Sequence, residues 1–475
     1  MARKKIKIGL VDADLLCNGT RHPNLALLKL AGYFRDNGYV RGITDDANSY
    51  ELITNDRNFE DLQKYDYFYV SCVFTFTLDN PPAILATLLN DKKLAKKVRL
   101  GGTGSYANLS VENGFAERRE EDMHRLEKDA FLNKMHNKSG TKGIDMRTQM
   151  PDYHLYDDFV SVMENVKASD KFYKDYKEYS IGFLTRGCFR RCPFCVNKLE
   201  RKAMPYSNLN DFLDQERDEN GKLVRPYIYL WDDNFLASPY WERLLDELIA
   251  TGRPFQFRQG LDERLLAQNR RGEDMARKLA SANYHGDFIF AFDNWFDRKL
   301  IVKALKIWKY HCPKKETKFY LFCGFHQSKD NHKLFQLDIA EIFMRICVLM
   351  RYGCLPYIMR HEDYKKAPIS NIYVQIARWC NQPGFYRNMS FWEYCYKNQT
   401  YWEEHTLGIK HKRLKSYEEF VKDLNDGYYD DKKICRTLMT CHEFLESHKT
   451  HKKLFLSFFN MSFKKMTDPT LWERK

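Results

Sequence analysis

Three cysteines stand within eight residues of one another: Cys188, Cys192 and Cys195, separated by three and then two residues. Thiolates bind soft metals, and four of them commonly hold a four-iron cluster. Here three thiolates are close together and no fourth lies nearby. A four-iron cluster held by three thiolates has one iron without a protein ligand, and an open position of this kind is where chemistry takes place. The spacing therefore predicts a [4Fe-4S] cluster with one open iron.

Two other interpretations of these cysteines compete with the cluster. A structural zinc site needs four Cys or His ligands, and no histidine lies within the motif or soon after it. Three unrelated core cysteines would need an apolar element around them. Arg190, Arg191 and Pro193 make such a buried element unfavourable. The cluster is the interpretation that fits all of these neighbours.

The elements that must position the cysteines are strands of a parallel sheet. Residues 179–184 are predicted to form a strand, so the cysteines follow at its carboxyl end, where barrel-type α/β folds place their active sites. Between residues 179 and 362 six strand-like runs alternate with helical segments, and polar residues follow several of them. The predicted strands after the first are 227–231, 255–257, 288–292, 318–323 and 356–360. This order predicts a catalytic face built from strand ends.

The cysteine motif, with the aromatic Phe194 before its last cysteine, is similar to that of the radical S-adenosylmethionine (radical SAM) enzymes. The resemblance implies a partial (β/α)6 TIM-type barrel. It also implies that the open iron chelates S-adenosylmethionine, and that the reduced cluster cleaves this cosubstrate to a 5′-deoxyadenosyl radical. That radical would abstract hydrogen from a substrate that the sequence does not identify. An external electron donor of flavodoxin or ferredoxin type is implied as a partner.

The same resemblance suggests residues that bind the cosubstrate besides Phe194. Its ammonium group is expected at the end of the second strand, where Trp231-Asp232-Asp233 replaces the usual Gly-Gly-Glu, so that either aspartate is a candidate. Arg258 could pair with the carboxylate in a bidentate manner, and Asp293 could bind the ribose hydroxyls. For each of these the alternative is an ordinary polar loop residue or a helix cap.

Residues 1–110 read as a Rossmann-like, doubly wound domain that ends in the glycine-rich turn Gly101-Gly102-Thr103-Gly104. The layout resembles the cobalamin-binding-like domain that precedes many radical SAM cores. It departs from the D-x-H-x-x-G pattern, because no histidine stands two residues after Asp12 or Asp14. Cobalamin is therefore a candidate only without histidine ligation and is not favoured. Only Cys17 and Cys72 are present here, so a second cluster is not expected.

The rest of the chain divides into a charged insertion and linker at 111–175, the radical SAM core at 176–362 and a helical, aromatic-rich region at 363–475. Tyr153 and Tyr156 are candidates either for the active site or for packing between domains. In the last region Cys380 with Cys395, or Cys435 with Cys441, match no compact ligand set, so core positions are expected.

Composition restricts the location and the partners. Thirteen cysteines without a secretory signal favour a reducing, cytoplasmic environment, and no apolar run approaches the roughly 18 residues of a membrane span. The net charge of +13 permits nucleic acid as a partner, although cationic and acidic residues are interleaved. Two functions follow from the sequence: a radical SAM enzyme or, alternatively, a non-catalytic iron–sulfur protein that binds nucleic acid through its basic surface.

Overall fold

The chain forms two units, Met1–Arg258 and Gln259–Lys475. The structure is a computed structural model that describes residues 4–20, 22–54, 59–106, 115–123, 126, 128–133, 145–166, 173–197, 199–410, 413–429 and 434–472. The division falls between the third and fourth strands of the predicted core. The four sequence segments given above stay predictions, and the polar stretch 137–143 of the predicted insertion lies outside the described residues.

The first unit begins with a parallel sheet whose central strand is almost wholly buried. Its strands are β1 (Lys7–Asp12), β2 (Val40–Arg41), β3 (Ser49–Leu52), β4 (Tyr67–Ser71) and β5 (Val98–Gly101). They lie in the order β2-β3-β1-β4-β5, and every pair is parallel. Leu10 in β1 is fully buried, as expected for a strand covered on both faces.

Buried helical residues pack against this sheet in two separate clusters, one containing Leu28 and the other Ile84, and this is compatible with the predicted doubly wound layout. The helix of Leu25–Asp36 begins after Asn24, whose side chain accepts hydrogen bonds from the backbone N–H groups of Ala26 and Leu27. Its face bearing Leu28 and Phe34 is fully buried. The helices of the unit up to this point are α1 (Ala13–Asn18), α2 (Leu25–Asp36), α3 (Thr75–Asp79), α4 (Ala83–Asn90), α5 (Phe115–Met123), α6 (Asp157–Val166) and α7 (Lys174–Lys177).

A second parallel sheet in the first unit holds the first three strands of the predicted core. Its strands are β6 (Tyr179–Gly182), β9 (Tyr227–Leu230) and β10 (Phe255–Phe257), in the order β10-β9-β6. Between β6 and β9 runs a short antiparallel ribbon of β7 (Thr185–Arg186) and β8 (Met204–Pro205). Helix α8 (Trp241–Ala250) connects β9 to β10.

The second unit contains the other three predicted strands. They are β11 (Phe288–Ala291), β12 (Thr317–Cys323) and β13 (Leu355–Arg360), paired in parallel in the order β11-β12-β13. The helices around them are α9 (Arg264–Gln268), α10 (Gly272–Ser281), α11 (Arg298–His311) and α12 (His332–Arg351). All six strands predicted between residues 179 and 362 are therefore present, and the α/β class is confirmed.

The described part of the predicted C-terminal region is helical. It consists of α13 (Asn371–Cys380), α14 (Pro383–Asn388), α15 (Phe391–Leu407), α16 (Tyr417–Asn425), α17 (Arg436–Ser447), α18 (Lys452–Phe459) and α19 (Phe463–Met466). The thiols of Cys380, Cys395 and Cys441 are buried in its core, and burial raises the pKa of Cys380 and Cys395 well above that of an ordinary thiol. None of the described helices combines the length and the apolar character needed to cross a membrane.

Candidate functional site

The three cysteines lie on one loop that is fixed at both ends. We call residues 187–203 the cysteine loop; it leaves β7 and returns through β8, where Thr185 pairs with Pro205 and Arg186 with Met204. Inside the loop the backbone N–H of Cys188 donates to the carbonyl oxygen of Glu200 at 3.0 Å. The loop is therefore a hairpin whose two arms are joined at the base, and the three cysteines lie beyond that base.

Gly187 makes the narrow base of this hairpin feasible. Its φ angle is +97°, a conformation that residues with a side chain rarely adopt. A Cβ atom at this position would lie 2.1 Å from the carbonyl oxygen of Lys202 on the opposite arm. Both the backbone conformation and the close approach therefore require glycine.

Hydrogen-bond donors point at the sulfur atoms of Cys188 and Cys195. The Sγ atom of Cys188 accepts from the backbone N–H of Arg190 at 3.4 Å and from the Asn234 side-chain amide at 3.2 Å. The Sγ atom of Cys195 accepts from the backbone N–H of Asn197 at 3.4 Å. Such donors stabilise thiolate sulfur and tune the reduction potential of iron–sulfur clusters. All three cysteines are partly exposed.

The described residues contain no group of three or more His, Cys, Asp or Glu side chains arranged to hold a metal ion. Ligation by Cys188, Cys192 and Cys195 therefore stays a prediction. The donor set nevertheless fits a cluster chemically, since it consists of thiols with N–H donors beside them. Metal binding commonly supplies the free energy that orders such ligands.

Asp232 anchors the base of the cysteine loop to the end of β9. Its carboxylate accepts from the backbone N–H groups of Leu184 (3.2 Å) and Thr185 (2.5 Å) and from the Thr185 hydroxyl (2.6 Å). The side chain is buried, and burial raises the pKa of Asp232 to about 7. These contacts give its oxygens a structural role within the protein.

Asp233 faces the cysteine loop and is the more accessible of the two aspartates. Its Oδ2 atom accepts from the backbone N–H of Gly187 at 2.8 Å and from the Asn197 side chain at 3.4 Å, and it lies 3.4 Å from Nε of Arg186. About a quarter of its side chain is exposed (24%), against 3% for the whole of Asp232. Of the two candidates for the ammonium group, the geometry favours Asp233.

Arg258, the predicted partner of the cosubstrate carboxylate, lies directly after β10 in a cluster of polar groups. Its guanidinium carbon is 4.5 Å from the ring centroid of Tyr229, and a guanidinium nitrogen is 3.5 Å from Oδ2 of Asp175. The same carboxylate oxygen is 3.7 Å from Nδ1 of His22, whose ring lies edge-on to Trp231. The predicted contact of Arg258 with the cosubstrate stays a prediction.

Three neighbours of the site are missed by sequence reasoning. Asn234, which directly follows the two aspartates, could have been found from its position at the end of a strand. Asp175 precedes β6 and carries no local signal. The sequence around His22 indicates only the start of a helix, and the structure places this residue beside Trp231 and Asp175.

Asp293 belongs to the second unit and follows β11. Its Oδ1 atom accepts from the backbone N–H of Phe322 in β12 at 3.1 Å, and burial raises the pKa of its carboxyl group. Beside it, the buried guanidinium group of Arg345 donates to the carbonyl oxygens of Phe292 (2.8 Å) and Phe322 (3.0 Å). Asp293 thus connects the carboxyl ends of two neighbouring strands, and its ribose contact stays a prediction.

Tyr153 and Tyr156, two other candidates from the sequence, form hydrogen bonds with residues of the first unit. The Tyr153 hydroxyl donates to the carbonyl oxygen of Phe212 at 2.7 Å, and the Tyr156 hydroxyl donates to Asp12 at 2.8 Å. Both tyrosines are buried, so they pack the first unit. Phe194 is partly buried in the cysteine loop, and its contact with the cosubstrate also stays a prediction.

The doubly wound domain contains a cavity at the carboxyl ends of β4 and β5. Its volume is about 180 Å³, and Leu27, Leu30, Ser71, Arg99 and Gly102 are among its lining residues. Sites that enclose drug-sized ligands measure roughly 300–1,000 Å³. The cavity therefore does not enclose a molecule as large as cobalamin.

Asp14, in the first turn of α1, holds the segment that follows β4. Its carboxylate accepts from the backbone N–H groups of Val73 (2.7 Å) and Phe74 (3.3 Å) and from the Thr77 hydroxyl (2.7 Å). The position at which the D-x-H-x-x-G pattern would place its histidine, two residues after Asp12, is thus occupied by Asp14, whose carboxylate has a structural role.

Comparison with known proteins does not assign a family. No protein-family model matches the chain, and no curated protein is significantly similar to it. The function is therefore inferred from the cysteine loop and from the polar groups that hold it.

Proposed function

We propose that the protein is a radical SAM enzyme that binds a [4Fe-4S] cluster through Cys188, Cys192 and Cys195. The observation that supports this most is the construction of the cysteine loop. Three partly exposed thiols lie on a hairpin fixed at its base, and N–H donors point at the sulfur atoms of Cys188 and Cys195. A buried core or a compact zinc knuckle would not need this combination.

The bound cluster would supply the electron that breaks the C5′–S bond of S-adenosylmethionine. The residues of the chain have supporting tasks. Asp232 holds the base of the loop, and Asn234 orients Cys188 through its amide. Asp233 is the acceptor proposed for the cosubstrate ammonium, Arg258 the donor for its carboxylate and Asp293 the acceptor for its ribose.

The fold proposed for this chemistry is a partial (β/α)6 barrel made from the six parallel strands. The two three-stranded parallel sheets are compatible with it, because polar residues follow the carboxyl ends of several of their strands. An external one-electron donor of flavodoxin or ferredoxin type and a reducing, cytoplasmic environment are part of the proposal, since the cluster must be both kept intact and reduced.

The test is anaerobic reconstitution with iron and sulfide, reduction with dithionite and addition of S-adenosylmethionine. We expect about four irons per chain and formation of both 5′-deoxyadenosine and methionine. The Cys192→Ala variant should lose the cluster and the cleavage. Cys347→Ala, which removes a partly buried thiol in α12, is the matched control and should keep both.

Two results would contradict the proposal. If Cys192→Ala still formed 5′-deoxyadenosine, the cluster assignment would be wrong. If the wild-type protein held a cluster but cleaved nothing, with or without cell extract as a source of substrate, the non-catalytic alternative would be favoured.

A further inference from the structure

One stretch of the second unit has many cationic side chains and no acidic ones. From Arg298 to Lys315 the sequence contains seven Lys and Arg residues in 18 positions and neither Asp nor Glu. Helix α11 covers the first 14 of these positions. The acid directly before the helix, Asp297, is paired with the guanidinium group of Arg264 at 2.8 Å. The charge of this helix is therefore strongly positive.

Three of the lysines form a row on the exposed face of α11. Lys299, Lys303 and Lys306 are spaced by four and then three residues, so an α-helix places them on one face. All three are exposed, whereas Ile301 and Trp308 on the opposite face are buried. Within the part of the chain that the structure describes, no acidic side chain forms an ion pair with any of the three. We call these three residues the lysine stripe.

The lysine stripe is unfavourable for the helix by itself. Like charges three and four residues apart destabilise a helix. Cations in the first turn also oppose the helix dipole, and Arg298 and Lys299 lie there. A bound anion removes both effects. The stripe is therefore complementary to several negative charges in a row rather than to one carboxylate.

An exposed aromatic ring lies at the N-terminal end of the stripe. Phe296 is 81% exposed, the largest value among the large apolar side chains that the structure describes. It stands three residues after Asp293 and three residues before Lys299. Because most of its surface faces solvent, the ring contributes little to the packing of the second unit. It is therefore available for stacking with a partner.

Cations in a row with an aromatic ring at one end match single-stranded nucleic acid. Such strands bind through their phosphates and through bases that stack on aromatic rings. The stripe extends for about 10 Å along the helix axis, which corresponds to about three phosphates of a stacked strand. An acidic protein surface would instead need apolar contacts among the cations. Between Lys299 and Lys306 no large apolar side chain is exposed, and all of these residues are described.

We propose that the lysine stripe and Phe296 bind single-stranded nucleic acid, and that nucleic acid is the substrate class of the proposed enzyme. This inference rests on the proposed function and names the substrate of that function. The phosphates lie along the stripe, and one base stacks on Phe296. Phe296 follows the carboxyl end of β11, where Asp293 also lies. The bound strand thus reaches the strand ends at which the proposed chemistry takes place.

The test uses the full chain, reconstituted with iron and sulfide, and a fluorescein-labelled single-stranded RNA of about 20 nucleotides. Binding is measured by fluorescence anisotropy at several salt concentrations. We expect Lys303→Glu with Lys306→Glu to weaken binding about tenfold or more and to lower its salt dependence, because two phosphate contacts are lost. The matched control, Lys397→Glu with Lys422→Glu, makes the same change of net charge at exposed positions of α15 and α16 and should bind like the wild type.

Phe296→Ala tests the ring separately from the charge. This variant should bind about fivefold or more weakly with an unchanged salt dependence, because it loses a stacked base and no phosphate contact. Tyr401→Ala truncates a ring in α15 that is 64% exposed and should leave the affinity unchanged.

Equal affinity of the two double variants for the RNA would overturn the binding site. The site would also be overturned if poly-aspartate of equal charge displaced the RNA and Phe296→Ala bound normally, since these results would indicate an acidic protein as the partner. Dithionite-driven formation of 5′-deoxyadenosine separates this inference from the proposed function. Cleavage without RNA binding would keep the function and remove its substrate class. RNA binding by an iron-loaded protein that cleaves nothing would remove the function and the substrate role with it.

Discussion

At the scale of single residues, Asp232 is held between two opposing effects. Burial disfavours its ionised form, whereas three hydrogen bonds from Leu184 and Thr185 favour it. Burial is the larger effect, and the pKa of Asp232 rises to about 7. The base of the cysteine loop therefore depends on donors that keep a costly carboxylate satisfied.

Removing one donor should be measurable. In Thr185→Val the side chain keeps its shape but loses the hydroxyl that donates to Asp232 at 2.6 Å. We expect the free energy of unfolding to fall by about 1–3 kcal/mol, because a buried acceptor loses its partner. Urea denaturation measures this change. Thr87→Val, at an exposed position of α4, should cost less than about 0.5 kcal/mol. Equal costs for the two variants would contradict the role given to Thr185.

Asp12 provides a pH-dependent prediction. Burial raises its pKa to about 6 in the folded protein, so between about pH 4 and 6 the folded state holds a proton that the unfolded state releases. Ionised Asp12 therefore destabilises the fold as pH rises through this window. We expect Asp12→Asn to gain stability relative to the wild type from pH 4 to 6, by up to about 3 kcal/mol.

Urea denaturation of both proteins at several pH values measures that difference. Both partners of Asp12 are retained in the Asp12→Asn variant, because the amide oxygen can accept from the backbone N–H of Leu15 and the NH2 group can donate to the Tyr156 hydroxyl. If the difference between the two proteins stayed constant with pH, the carboxyl group would not titrate as inferred.

At the scale of elements, the strands of the core could be predicted because each is a short apolar run followed by polar residues. The start of α2 could be predicted because Asn24 is a local cap signal. The ribbon of β7 and β8 could not be predicted from the sequence, because strands of two residues have no periodicity to detect. The spacing of the cysteines is likewise local, whereas the Asn234–Cys188 hydrogen bond joins residues 46 positions apart.

Gly187→Ala tests the narrow base of the cysteine loop. The methyl group of alanine would meet the carbonyl oxygen of Lys202. The alanine backbone would also have to adopt the left-handed φ of +97°. We expect a loss of about 1–3 kcal/mol in stability and a clearly lower iron content after reconstitution, because the hairpin can no longer close. Iron and labile sulfide are assayed per chain.

Gly384→Ala is the matched control for this prediction. A Cβ atom at Gly384 meets nothing within 4 Å, and the residue lies in helix α14 without a positive φ. It should keep the wild-type iron content. Normal iron content in Gly187→Ala would show that the hairpin base does not control cluster binding.

At the scale of the whole molecule, charge is distributed unevenly. The 20 residues from Arg186 to Pro205 contribute a net +5 to a total of +13 for 475 residues. In much of the rest of the chain cations and acids are interleaved, and many form surface ion pairs that contribute little to stability. Positive charge is thus concentrated on the cysteine loop and its flanking strands, as it is in residues 298–315.

Cluster binding should also affect the two units differently. All three cysteines and the residues that hold their loop, Asp232 and Asn234 among them, belong to the unit Met1–Arg258. A ligand that binds only the folded form stabilises the element that holds it. Hydrogen–deuterium exchange before and after reconstitution should therefore show protection in residues 184–206 and 230–234, with little change in helices α13, α15 and α17. Cys192→Ala should show no protection in either region. Equal protection of the C-terminal helices would mean that iron binds elsewhere or that the two units respond to it together.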